Sequence, residues 1–174
     1  MKHIAVTVFS ISLLLFSATS LAQAEVEITW QDPEKFDDVR SPSASRVKFR
    51  ERIFKELDKY FNELAEDLPN GQKLVMNVTN VDLAGDVLPA SFAGLGRSMS
   101  EVRVVKSIYI PRMSFSYQLL SSDGGVLQEE EVKLKDMSFL NSHNRFFSSD
   151  TLRYEKNMIA EWFEDEFAKS DTKK

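Results

Sequence analysis

The 174-residue chain contains no cysteine, only two histidines, six glycines and five prolines. Without cysteine there are no disulfides, no thiolate metal sites, no cysteine nucleophile and no lipid-bearing N-terminal cysteine. Neither charge sign dominates: 22 Lys+Arg stand against 27 Asp+Glu, a formal net charge of -5. That balance gives no electrostatic reason to expect nucleic acid as a partner. Few glycines and prolines beside 13 Phe and 43% hydrophobic residues argue against disorder, because such a chain buries enough apolar surface to offset its ordering entropy. The glycines do not fall at the spacing of a phosphate-cradling loop, so no nucleotide cofactor is expected.

No apolar run is long enough to span a bilayer, which takes about 20 residues. The one run present, Ile4 to Phe16, follows the basic start Met1-Lys2-His3 and leads to Ala22-Gln23-Ala24. Positive end, apolar middle and A-x-A site make a secretory signal peptide, so residues 1–24 are expected to be removed after Ala24 and the protein to be periplasmic. No transmembrane segment is expected after cleavage. Cleavage removes Lys2 and His3 but no acid, and leaves His143 as the sole histidine of a single domain over residues 25–174.

Within that domain the period of the apolar residues changes along the chain. Val26, Ile28 and Trp30 alternate with polar residues, as in a half-buried strand. Asp, Pro and Ser then make residues 31–44 a loop, and Ser43 or Ser45 can cap a helix expected to reach about Leu68. Phe49, Ile53, Phe54, Leu57, Tyr60, Phe61, Leu64 and Leu68 occupy one arc of that helix, and Lys48, Arg52, Lys55 and Lys59 its outer face. Lys73 to Leu83 reads as a strand with a bulge near Thr79-Asn80, since Leu74, Met76 and Val78 alternate in one phase and Val81 and Leu83 in the other. Residues 84–100, with Gly85, Pro89, Gly94 and Gly96, read as a long loop.

Val102 to Tyr109 is expected to be a strand, broken before the next by Pro111. Met113, Phe115, Tyr117 and Leu119 alternate up to the turn signal Ser121-Ser122-Asp123-Gly124-Gly125, and Val126 to Lys135 is the returning strand. Ser149 or Asp150 can cap a last helix, expected to reach about Lys169. These elements predict an α+β fold of two layers, a mostly antiparallel sheet of four or five strands with two long amphipathic helices on one face. The first strand and the one after the first helix can pair in parallel through a crossover.

Candidate chemistry is sparse. One loop histidine without a nucleophile elbow does not make a serine hydrolase, and a site of several histidine ligands is excluded after cleavage, so no metal is expected. Asp82 and Asp86 flank Leu83-Ala84-Gly85 without the spacing of a calcium loop, and read as turn chemistry. Glu155 breaks the apolar arc of the last helix and calls for a buried partner, for which Arg103, Arg112 and Arg145 are candidates.

Several strings together resemble a bacterial family known as domain of unknown function DUF3016: Trp30-Gln31-Asp32-Pro33-Glu34-Lys35-Phe36 with Asp38-Val39-Arg40, Asp82-Leu83-Ala84-Gly85-Asp86, Val102-Arg103-Val104-Val105-Lys106 with Tyr109 and Pro111-Arg112, Phe115-Ser116-Tyr117, Leu134-Lys135-Asp136-Met137, and Leu152-Arg153-Tyr154-Glu155-Lys156 with Trp162-Phe163. The resemblance implies an exported single-domain envelope protein of gammaproteobacterial type, and brings no activity, cofactor or catalytic residue. It draws attention to Asp82, Asp86, Arg103, Asp136, Arg153, Tyr154 and Glu155 as binding or ion-pair residues. The function expected is a non-enzymatic module that binds a protein partner or an envelope component. The alternative is a hydrolase of cell-wall glycan that pairs Glu155 with Asp82, Asp86 or Asp136.

Overall fold

The computed structural model describes residues 23–39, 45–94, 101–146 and 148–167. Apart from residues 23 and 24 the expected signal peptide lies outside them, as do Ser43, residues 95–100 and the end expected for the last helix. Eight main elements follow in chain order: β1 (Glu25–Trp30), α1 (Arg46–Ala65), β2 (Lys73–Asp82), β3 (Asp86–Pro89), β4 (Glu101–Val104), β5 (Arg112–Leu120), β6 (Val126–Lys135) and α2 (Arg153–Phe167). Single 3-10 turns lie at Pro33–Lys35 and Ala90–Ala93.

A four-stranded mixed sheet has the order β1-β2-β5-β6, and β3 and β4 form a separate two-stranded sheet. β1 runs parallel to β2, with α1 as the crossover that parallel neighbours require, whereas β2–β5 and β5–β6 are antiparallel. The β2–β5 register shifts between Val78 and Asn80. The extra residue there turns Val81 to the side that Val78 already faces, so both are buried. Leu74, Met76 and Val78 of β2 and Met113, Phe115, Tyr117 and Leu119 of β5 meet Ile53, Leu57 and Phe61 of α1 and Met158, Ile159 and Trp162 of α2 in one apolar core. The Trp162 ring stands edge-on to Phe115 and Tyr117, at centroid distances of 4.8 and 5.6 Å. The opposite side of the sheet is polar: Asn77, Ser116, Gln118 and Glu129 border an open hollow of about 590 Å³.

Several expectations need correction. The long loop of residues 84–100 holds β3, whose four residues pair with β4 from Asp86↔Val104 to Pro89↔Glu101. So short a strand, ending on a proline, carries no periodicity to betray it. The strand expected over Val102 to Tyr109 stops at Val104, and Tyr109 N instead closes a turn on Lys106 O at 3.0 Å. The described residues form six strands in two sheets. Helix α1 ends at Ala65, with Leu68 buried in the turn beyond. Ser45 takes the position before α1 without a side-chain capping bond. Asp150 Oδ1 accepts from Leu152 N at 2.8 Å, but its bond supports the turn before α2, which starts three residues later than Asp150.

Candidate functional site

The turn Leu83-Ala84-Gly85 joins the large sheet to the small one. Gly85 is indispensable to it: its φ is +84°, and a Cβ there would lie 2.7 Å from Val104 O. Its N–H donates to Tyr109 O at 3.0 Å. The turn so held aims the Ala84 N–H at Glu155 Oε1, 2.6 Å away. Glu155 lies in the first turn of α2, where the helix dipole favours a carboxylate, and is 2% exposed.

Arg103, opposite Val87 in the two-stranded sheet, completes a clamp. Its Nε donates to Ala84 O at 2.5 Å, its Nη2 to Glu155 Oε1 at 2.5 Å, and its Nη1 to Thr151 O. One planar guanidinium therefore ties together the β2–β3 turn, the turn before α2 and α2 itself, a use of fixed fork geometry that lysine could not reproduce. Below the clamp, Ala84, Phe139 and Tyr154 form a second small core with Val105 and Ile110 packed against it. The Phe139 and Tyr154 rings meet edge to face at 5.0 Å. Arg153 covers the other ring of this group, 4.5 Å from the Tyr154 centroid, and donates from Nη2 to the Tyr154 hydroxyl. Glu155 Oε2 is buried and accepts no hydrogen bond among the described residues.

Of the three arginines that sequence could not separate, the structure selects Arg103 for Glu155. Arg112 pairs with Asp82 at 2.7 Å at the end of the large sheet, half-exposed. Arg145 pairs with Glu164, holding that carboxyl below its usual range. Asp136 is a turn former, its Oδ1 accepting from Ser138 N at 2.8 Å and from Ser138 Oγ at 3.1 Å. Asp86 opens β3 opposite Val104, as turn and strand geometry rather than as a partner of Glu155. Two contributors were invisible in the sequence because they act through the backbone: the amide and carbonyl of Ala84 and the carbonyl of Thr151. Asn157, 2% exposed and bonded through Nδ2 to Glu161 Oε1 at 2.8 Å, was also missed, since nothing distinguishes it from a surface asparagine.

Beside the clamp lies a cleft of about 390 Å³ between α1, the two-stranded sheet and the start of α2. Its walls are apolar, with Phe49, Ile53, Leu83, Val87, Val102 and Leu152, and Arg52, Glu56, Glu101 and Arg103 supply its polar lining. Arg52 lies over the Phe49 ring at 5.1 Å. Lys156, 2.8 Å from Asp150 and 4.0 Å from Glu56, ties α2 to the lip. Nearby, burial pushes the Tyr60 hydroxyl up to about 12, so it stays protonated at any ordinary pH. Among the described residues no three His, Cys, Asp or Glu side chains are placed to hold a metal ion, and His143 is exposed. No described helix is long and apolar enough to cross a membrane. The arrangement can grip and orient a ligand.

The strings noted in the sequence converge here, since the clamp joins Ala84, Arg103 and Glu155. A family model described as protein of unknown function (DUF3016) matches residues 24–165, and the chain belongs to that family. No curated protein and no solved structure matches the chain.

Proposed function

We propose that this family member is an exported, periplasmic and non-enzymatic module that binds a protein partner or a component of the cell envelope in the cleft beside the Arg103–Glu155 clamp. The observation that carries this reading is the cleft itself: about 390 Å³, walled by apolar side chains, with the charged groups of Arg52 and Glu56 beside them. Pockets of this size with a few placed polar groups are the usual setting for ligand capture. The clamp supports the reading by fixing β4, and with it Val102 and Arg103, against α2.

The glycan hydrolase reading has less support. A general acid must reach its substrate, and Glu155 is 2% exposed with Oε1 already shared between Arg103 and Ala84. Asp82 and Asp136 are engaged with Arg112 and Ser138. Thermal melting of the purified protein against divalent metals, wall fragments, lipopolysaccharide and haem tests the proposal, because a ligand of the folded state raises the midpoint by mass action. The expected result is a saturable rise of several degrees with one class, lost when Val87→Arg fills the cleft. A flat panel narrows the occupant to a protein. Cleavage of wall glycan that Glu155→Gln abolishes would overturn the reading.

A further inference from the structure

At one end of the large sheet Asp82, Arg112 and Lys135 lie side by side in register. Two turns project beyond them. The first, Lys106 to Tyr109, is closed by the Tyr109 N–H on Lys106 O at 3.0 Å and carries Ile108 at its corner, 72% exposed. The second follows Asp136, whose N–H donates to Pro111 O at 3.2 Å, and is closed by Asn141 N on Ser138 O at 2.7 Å. It carries Met137, 74% exposed, and Leu140, 43% exposed. Both turns are anchored from beneath, because Ile110 and Phe139 belong to the small core. Large apolar side chains are thus held outward at one end of the sheet, on two turns whose bases are joined by the Asp136 N–H on Pro111 O.

The two chain segments that carry these tips are basic, against the net charge of the whole chain. Segments 105–112 and 133–141 contain Lys106, Arg112, Lys133 and Lys135 against Asp136 alone, in a chain of net charge -5. Asp136 is 8% exposed with its Oδ1 accepting from Ser138, and Asp82 is paired with Arg112. The three lysines are exposed and make no ion pair among the described residues. Exposed apolar turn residues flanked by lysine differ from the core of a protein interface, where aromatic residues and arginine are enriched and lysine is depleted. They match a membrane surface, where apolar side chains enter the headgroup boundary and lysines meet lipid phosphates.

We infer that this end of the molecule docks on an anionic lipid surface, with Ile108 and Met137 inserted and Lys106, Lys133 and Lys135 against the headgroups. The inference is independent of the cleft. It is tested with protein purified after export, its N-terminus read by mass spectrometry, sedimented with vesicles of phosphatidylcholine alone or with one-third phosphatidylglycerol. Binding is expected for the anionic vesicles only, and weakens with salt. Lys106→Gln and Lys135→Gln each lower it about fivefold, and Ile108→Asp with Met137→Asp at least about tenfold, with unchanged circular dichroism and melting temperature. The cleft variant Val87→Arg binds vesicles like the parent. Equal binding to both vesicle types, no binding, or full binding by the double aspartate variant overturns the inference. So does self-association that the double variant abolishes while vesicles are ignored, which assigns the tips to a second copy.

Discussion

The large core and the junction to the two-stranded sheet are built on opposite principles. Under the four-stranded sheet, Leu57, Phe61, Leu74, Val78 and Ile159 are all at 0% exposure and interdigitate without direction-dependent bonds. At the junction the apolar contribution is small, and order comes from one guanidinium, one carboxylate and three backbone groups in Ala84 and Thr151. Apolar contacts lose energy in proportion to the area and volume removed. A polar clamp is less forgiving, since deleting one member leaves the others buried and unpaired. The first kind of packing stabilises the domain; the second specifies where β4 lies on it.

Four measurements sharpen or break that contrast. Phe61→Ala removes a fully buried ring from the large core and lowers stability by about 3–5 kcal/mol in urea unfolding. The loss is expected in a single transition for the whole domain. Arg103→Met costs about 3 kcal/mol by leaving Glu155 uncompensated, and hydrogen exchange quickens first in β3 and β4. Combining it with Glu155→Leu restores part of the loss, because the charge pair vanishes but Ala84 still lacks its partners. Full additivity of the two changes would show that no clamp exists.

Gly85→Ala is expected to cost about 2 kcal/mol, from a left-handed φ and the approach of the new Cβ to Val104 O. Its signature is the same as that of Arg103→Met, early exchange confined to the junction. The smallest effect lies at the edge of the large core, where Trp30 stacks on Phe54 at 4.1 Å and donates to Asp58 Oδ1 at 3.1 Å. Burial raises the Asp58 carboxyl above its ordinary value of 3.8, outweighing the lowering by Trp30. The native state therefore binds this proton more tightly than the unfolded chain, and stability falls as pH rises through the window above 3.8. Asp58→Asn keeps an oxygen for Trp30 and should raise the melting temperature slightly at pH 7 but not at pH 3; a fall at pH 7 would break the argument.

Much of the large core was legible because its signals are local. The stripe from Phe49 to Leu68 marks α1 by its period, the alternation from Met113 to Leu119 marks β5, and the Asp123-Gly124-Gly125 turn sets the hairpin to β6. Even the bulge before Asn80 showed as a slip of phase. The junction was half legible. Glu155 stood out as a carboxylate inside an apolar arc, yet Arg103, Arg112 and Arg145 offered equal charge at unknown distances. β3 was illegible, since four residues ending in a proline resemble a loop until β4 lies beside them. The burial of α2 on most of its surface, including Tyr154, Asn157 and Ala160, was also unread, because a helix wheel shows the side meeting the first neighbour and not the second.

By itself the sequence determined the elements that periodicity encodes, the absence of thiol chemistry, and a carboxylate, Glu155, that needs a buried partner. Tertiary structure alone decided the order β1-β2-β5-β6, the separate β3–β4 sheet, the choice of Arg103, and the placing of the Ile108 and Met137 turns at one end of the large sheet. The physical reason is range. Helical and strand periods act between residues a few positions apart, whereas Ala84 and Glu155 are 71 positions apart and bonded at 2.6 Å, a contact that exists only once the whole chain has closed around it.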